Sequence, residues 1–179
     1  MAWFQKKPPE PSAELVKNSP PPKAVKGLKI SSLLSEATIL FPQEGQDKSS
    51  VLQALVASVC AKSGTFDWAP LLKKVEEREQ GISTTLDTGL SLPHARVDGL
   101  AAIQAGMAVL RKPISDPKQP DLSIRIMFLF FSPNKQEAFA LHLQLLRGVA
   151  SLFQPAFIDQ LTATSGPAAA LELVRKLEA

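Results

Sequence analysis

Arg78-Glu79-Gln80-Gly81-Ile82-Ser83-Thr84-Thr85-Leu86-Asp87-Thr88-Gly89-Leu90-Ser91-Leu92-Pro93-His94-Ala95-Arg96 runs from helix end through loop to strand in nineteen residues. The helix is the one before it. Leu71, Leu72 and Val75 recur at helical spacing from about Trp68 to Gln80, and Gly81 suits a C-terminal cap. The small polar residues Ser83, Thr84 and Thr85 read as a loop. From Gly89 to Leu92 small and apolar residues alternate, as in a strand, until Pro93 closes the run. The chain holds only two histidines, and one of them, His94, comes off the end of this strand with Arg96 close behind. An unperturbed imidazole is largely neutral at physiological pH, so His94 is a candidate nucleophile.

Working outward, helices and strands stay mixed in order. Ala37 to Phe41 is strand-like. Asp47 reads as an N-cap, Val51, Leu52, Leu55, Val56, Val59 and Cys60 as the apolar stripe of a helix, and Gly64 as its end. Ile103 to Leu110 and Ser123 to Phe131 read as strands. Pro113 to Pro120 reads as a loop broken by Asp116-Pro117 and Gln119-Pro120. A helix follows from about Gln136 to Phe153, with Leu141, Leu145, Val149 and Leu152 among its apolar positions. A short helix after Pro155 and a last one from about Pro167 to Leu177 complete the chain. This order predicts an α/β (α+β) single domain, a central mixed β-sheet flanked by helices. Residues 28–179 form the domain. Residues 1–27 carry six of the fifteen prolines and five lysines. They read as a disordered Pro/Lys-rich tail whose Trp3-Phe4 tip could touch a partner or a membrane surface, or be two incidental aromatics.

Composition narrows the function. Hydrophobic residues make up 45% and charged residues 21% of 179 positions, an ordinary globular balance. A net charge of +3 is too small to argue for nucleic acid. Cys60 is the only cysteine, which removes disulfides and cysteine zinc sites and reads as a buried thiol. No signal peptide is expected, and the longest apolar run, Ile126 to Phe131, is strand-sized. A cytoplasmic protein without stable membrane insertion is therefore expected.

Three residues carry the chemistry. His94 is the candidate nucleophile, His142 lies mid-helix 48 residues later, and Arg78 lies 16 residues earlier. Attack on a phosphoryl group, one reaction open to a nucleophilic imidazole, needs in-line placement, with cations and N–H donors on the equatorial oxygens. A guanidinium supplies a bidentate fork for them. Each residue also has an ordinary reading. His94 fits a plain loop histidine, His142 a satisfied histidine at the core edge, and Arg78 and Glu79 solvated charges at a helix end. A two-histidine metal site lacks carboxylates at a ligand spacing. Ser91 lacks a nucleophile-elbow context, and no glycine loop for nucleotide phosphate is present.

In their order and spacing these motifs resemble the fructose/mannitol-type enzyme IIA domains of the bacterial phosphotransferase system, which include the nitrogen-regulatory enzyme IIA proteins. The resemblance covers most of residues 28–179. It rests on Arg78-Glu79 ahead of the Thr/Gly-rich loop, Pro93-His94 with Val97 to Leu100, the strand Ile124 to Pro133, and the helix motif His142 to Leu145. It implies that His94 is phosphorylated by an HPr-type phosphocarrier protein, with Arg78 and His142 supporting. It implies Glu79 as an orienting residue and Thr85 as a phosphate contact. No metal or cofactor is implied. Arg96 reads as a docking charge. The expected function is a phosphotransferase that carries a phosphohistidine, acting as a nitrogen-type regulator on target proteins. The alternatives are a sugar-transport component passing phosphate to an enzyme IIB cysteine, and a partner-binding scaffold that is not phosphorylated. Ala95 departs from a position where glycine is common in the family. The Lys112 to Leu122 segment reads as shorter and richer in proline than usual, and the tail lies outside the family's domain.

Overall fold

The computed structural model describes residues 27–64 and 67–179. The expectations for the N-terminal tail lie outside the described residues, apart from Gly27. Five strands form one mixed sheet: β1 (Ile39–Leu40), β2 (Leu90–Ser91), β3 (His94–Val97), β4 (Gln104–Asp116) and β5 (Gln119–Pro133). β4 and β5 form its antiparallel centre. β1 adds to β4 in parallel, and β2 and β3 both add in parallel to the far side of β5.

β2 and β3 are one edge strand with an interruption. Leu90 pairs with Ile126 and His94 with Phe130, so the register continues unbroken across Leu92-Pro93. The Leu92 N–H turns away from β5 to the Thr84 carbonyl. Pro93 has no N–H to give, which suits it to an edge. The strand expected at Gly89 to Leu92 therefore extends, after this break, through His94.

Alternation along β5 explains the apolar run. Ile126, Phe128 and Phe130 face one helical layer, and Met127, Leu129 and Phe131 face the other. The first layer comprises α3 (Phe139–Leu152), α4 (Pro155–Thr162) and α5 (Pro167–Leu177). The second comprises α1 (Lys48–Ser63) and α2 (Trp68–Gly81). Asp47 caps α1 by accepting from the Ser50 N–H, and Gly64 ends it at φ 64°. α1 seats closely on β4 because Gly106 has no side chain. A Cβ there would lie 2.7 Å from Val59 Cγ2 and 3.0 Å from the Thr38 carbonyl.

Some details differ from expectation. Gly81 is the last residue of α2 rather than its left-handed cap, and Ile82 leaves in an extended conformation. Leu141 and Leu177, apolar positions of their helices, are exposed. The Pro113 to Pro120 segment is a β-ribbon with only Pro117-Lys118 as its turn. The ladder tolerates its prolines because the register shifts between Val109 and Ile114 and again between Ser115 and Asp116. Near the C-terminus the Glu178 carboxylate accepts from the Ile30 N–H at 2.6 Å and the Ser31 N–H at 2.9 Å, tying α5 to the 3-10 turn Ile30–Ser32.

Candidate functional site

The interruption at Leu92-Pro93 frees the Leu92 carbonyl, which lies 2.8 Å from His94 Nδ1. A carbonyl only accepts, so Nδ1 carries the ring proton in neutral His94, and Nε2 keeps its lone pair. The ring is buried and stacks on Phe130, its β5 neighbour, with centroids 5.5 Å apart and planes 12° apart. His142, also buried, reaches the same place from α3. Its ring centroid lies 5.4 Å from that of His94 at an interplanar angle of 58°. On the other side of His142 its Nδ1 lies 2.7 Å from Ser132 Oγ, and Phe139 stacks on it at 6.5 Å. The Arg96 guanidinium sits 5.1 Å over the Phe139 ring, and its Nη2 donates to the Lys135 carbonyl at 2.7 Å.

Arg78 is exposed in the last turn of α2 and makes no hydrogen bond or ion pair among the described residues. Behind it lies a buried ionic cluster. Lys48 Nζ bridges Glu79 Oε2 at 2.9 Å and Asp116 Oδ2 at 3.0 Å. Asp116, wholly buried at the tip of β4, also accepts from the hydroxyls of Ser83 and Thr85 and from the Lys118 N–H. Glu79 accepts from the Thr84 hydroxyl, and its backbone carbonyl takes the Lys118 ammonium at 2.6 Å. The helix end that carries Arg78, the loop toward His94 and the ribbon tip are thus fastened at one point.

Residues 32–177 match the family described as phosphoenolpyruvate-dependent sugar phosphotransferase system, EIIA 2. The chain belongs to this enzyme IIA family. A nitrogen regulatory protein of Pseudomonas aeruginosa is 23% identical over 129 residues, 72% of this chain and 82% of that protein. The nitrogen regulatory protein IIA-Ntr of Neisseria meningitidis superposes with a TM-score of 0.70 at 21% identity, covering 81% of this chain and 98% of its own. The mannitol enzyme IIA of Escherichia coli, solved in complex with phosphorylated enzyme IIB, superposes with a TM-score of 0.64 at 14% identity, covering 80% and 97%.

Electrostatics give the two histidines of this enzyme IIA domain a common bias. Burial pushes the His94 pKa below its ordinary value. Arg78 adds to that, while the Leu92 carbonyl and Glu79 oppose it. Burial also lowers His142, to about 4, helped by His94, Arg96 and Arg78. Both rings are therefore neutral at pH 7. Arg78 is the cation that both rings feel, whereas Arg96 acts on His142 alone. Burial raises the Asp116 carboxyl, but the hydrogen bonds from Ser83, Thr85, Lys118 and Lys48 outweigh it and hold the group well below the usual carboxylate range.

Of the residues singled out from sequence, His94 and His142 come together with tilted rings, and both feel the Arg78 charge. Glu79 sits in the ionic cluster and is felt electrostatically at His94. The Thr85 hydroxyl is buried and donates to Asp116. Arg96, expected as a docking charge, lies against Phe139 and Lys135 of its own chain. Sequence reasoning missed Lys48, Asp116, Lys118 and Ser132. Lys48 looks like any residue after a helix cap, and Asp116-Pro117 like a turn. Ser132 gave a signal, as the one polar side chain between an apolar run and Pro133. No group of three or more His, Cys, Asp or Glu side chains is placed to hold a metal ion among the described residues. No described helix is long and apolar enough to cross a membrane.

Proposed function

We propose that His94 accepts a phosphoryl group from the phosphohistidine of an HPr-type phosphocarrier protein, and that the chain acts as a nitrogen-type regulatory enzyme IIA. The observation that carries this reading is the hydrogen bond between His94 Nδ1 and the Leu92 carbonyl, which points an unprotonated Nε2 away from it. In the transfer the Nε2 lone pair attacks phosphorus in line and the donor's P–N bond breaks. Its electron pair returns to the donor ring. Because His94 starts neutral, no proton has to leave before attack. The unpaired Arg78 guanidinium supplies charge to the equatorial oxygens. Glu79 and Thr85 hold the loop through Lys48 and Asp116. The phosphoryl group adds roughly −1.5 to −2 charges at one surface point, which alters docking of regulated partners.

The nitrogen regulatory relatives support the regulatory role. The mannitol enzyme IIA seen with phosphorylated enzyme IIB supports a second reading, in which His94 passes its phosphoryl group to an enzyme IIB cysteine in sugar transport.

The test is incubation with phosphoenolpyruvate, enzyme I and HPr, followed by intact mass and acid lability. One acid-labile phosphoryl adduct is expected on the native chain and none on His94→Ala. Arg78→Ala is expected to slow acceptance by about 10²–10³-fold with the fold intact. An adduct that survives in His94→Ala, or none on the native chain with a competent donor, overturns the proposal and leaves a partner-binding scaffold. Added enzyme IIB that drains the adduct onto a cysteine would establish the transport reading.

A further inference from the structure

We infer that Ser132 fixes His142 in the tautomer with its proton on Nε2, which makes His142 the hydrogen-bond donor to a phosphoryl oxygen on His94. The donor role rests on the reading of His94 as the phosphoryl acceptor; the tautomer does not.

The argument is a count of protons. Ser132 is wholly buried near the end of β5, and its hydroxyl has one polar neighbour among the described residues, His142 Nδ1 at 2.7 Å. A hydroxyl proton needs an acceptor, and burial makes an unmet donor costly. If His142 carried its proton on Nδ1, that N–H would donate to Ser132 Oγ and leave the serine's own proton buried with nowhere to go. If Ser132 donates instead, both atoms are satisfied, and a neutral His142 must hold its proton on Nε2. Nε2 makes no hydrogen bond of its own among the described residues, so its N–H stays available.

The surroundings keep the ring neutral and in place. The charged and titratable groups facing it are His94 and Arg96 from β3 and Arg78 from the end of α2, and all of them disfavour a second proton. Phe139 stacks on the ring beneath the Arg96 guanidinium. The two imidazoles thus take opposite tautomers. His94 holds its proton inward on Nδ1 and offers a lone pair, whereas His142 accepts inward on Nδ1 and offers a proton. One ring can attack phosphorus while its neighbour grips an oxygen of the same group.

Ser132 is a positioning residue, and its test separates tautomer from fold. The native, unphosphorylated chain, labelled with ¹⁵N-histidine, is examined near pH 7 by long-range proton–nitrogen correlation, with assignments from His94→Gln. The expected pattern is protonated Nε2 and bare Nδ1 for His142, with the reverse for His94. In Ser132→Ala the His142 pattern is expected to become a mixture. Acceptance from phospho-HPr is expected to slow roughly tenfold, and Ser132→Thr, which restores a hydroxyl, to recover both. A native His142 protonated on Nδ1 overturns the inference without any variant. So does an Ala variant with an unchanged tautomer or a native acceptance rate. Failure of the native chain to take up phosphate removes the donor role through the separate mass assay and leaves the tautomer to be judged by the spectrum.

Discussion

Replacing Asp116 with Asn changes one atom in the ionic cluster and tests what fastens the loop before His94. The carboxylate accepts three donors on Oδ2 (Lys48 Nζ, Ser83 Oγ and Thr85 Oγ1) and the Lys118 N–H on Oδ1. An amide has one acceptor oxygen. If that oxygen takes the Oδ2 place, three bonds survive but lose their charge, at about 1 kcal/mol each, and the amide N–H₂ meets the Lys118 N–H at a further cost of about 1–3 kcal/mol. The opposite orientation sets N–H₂ against three donors and is worse. Lys48 keeps Glu79, so it is not stranded. A loss of about 4–6 kcal/mol follows, a large share of the 5–15 kcal/mol typical of a domain. With a urea slope of about 2 kcal/mol per M, the unfolding midpoint falls by about 2–3 M. The gap must also depend on pH. Asp116 has its folded pKa depressed, so its contribution is complete above the ordinary carboxylate value and is lost as pH falls below it. Native and variant midpoints should therefore converge in acid below about pH 4. A midpoint shift under about 0.5 M at pH 7, or a gap that stays constant into acid, would refute the account of the cluster.

Two further predictions concern the sheet and the histidine pair. Gly106→Ala forces a methyl against Val59 and the Thr38 carbonyl. It should cost about 1–3 kcal/mol, read as a lower Tm in calorimetry, with phosphate acceptance preserved once the chain is folded. His142 has its pKa lowered to about 4. Its neutral form therefore stabilises the fold above the ordinary histidine pKa, and this stability drains away as pH falls from about 6.5 through the folded value. His142→Gln should flatten the urea midpoint between pH 6.5 and 4, and an equally steep profile in that variant would count against the buried, neutral ring.

The layered fold was legible because its signals are local and agree with one another. Asp47 and Gly64 bracket α1 in the structure as they do in the sequence. The run Ile126 to Phe131 is apolar throughout because each side of β5 meets a helical layer. The ribbon at Pro113 to Pro120 was not legible, since prolines are read one at a time while the bulges that admit them belong to the pairing of two strands. The site divides in the same way. His94, His142 and Arg78 stand out as rare or suggestively spaced side chains, but their state depends on partners far off in sequence. The Leu92 carbonyl matters only because the edge strand breaks there, and Asp116 only because the ribbon tip folds back on Ser83 and Thr85. Arg96 was legible as a charge and illegible as a contact, because Phe139 arrives from another element.

The Glu178 clasp has a consequence for the order in which the fold assembles. Its carboxylate joins Ile30 across 148 positions. Closing a flexible span of that length costs about 4 kcal/mol, as much as the roughly 3–6 kcal/mol that two hydrogen bonds to a charged group return. Formed alone the clasp gains little; it holds once the sheet has carried the two ends together. It is then the last seam to close and the first to open, so amide exchange at Ile30 and Ser31 runs ahead of exchange in β4 and β5 and reports the domain's earliest fraying.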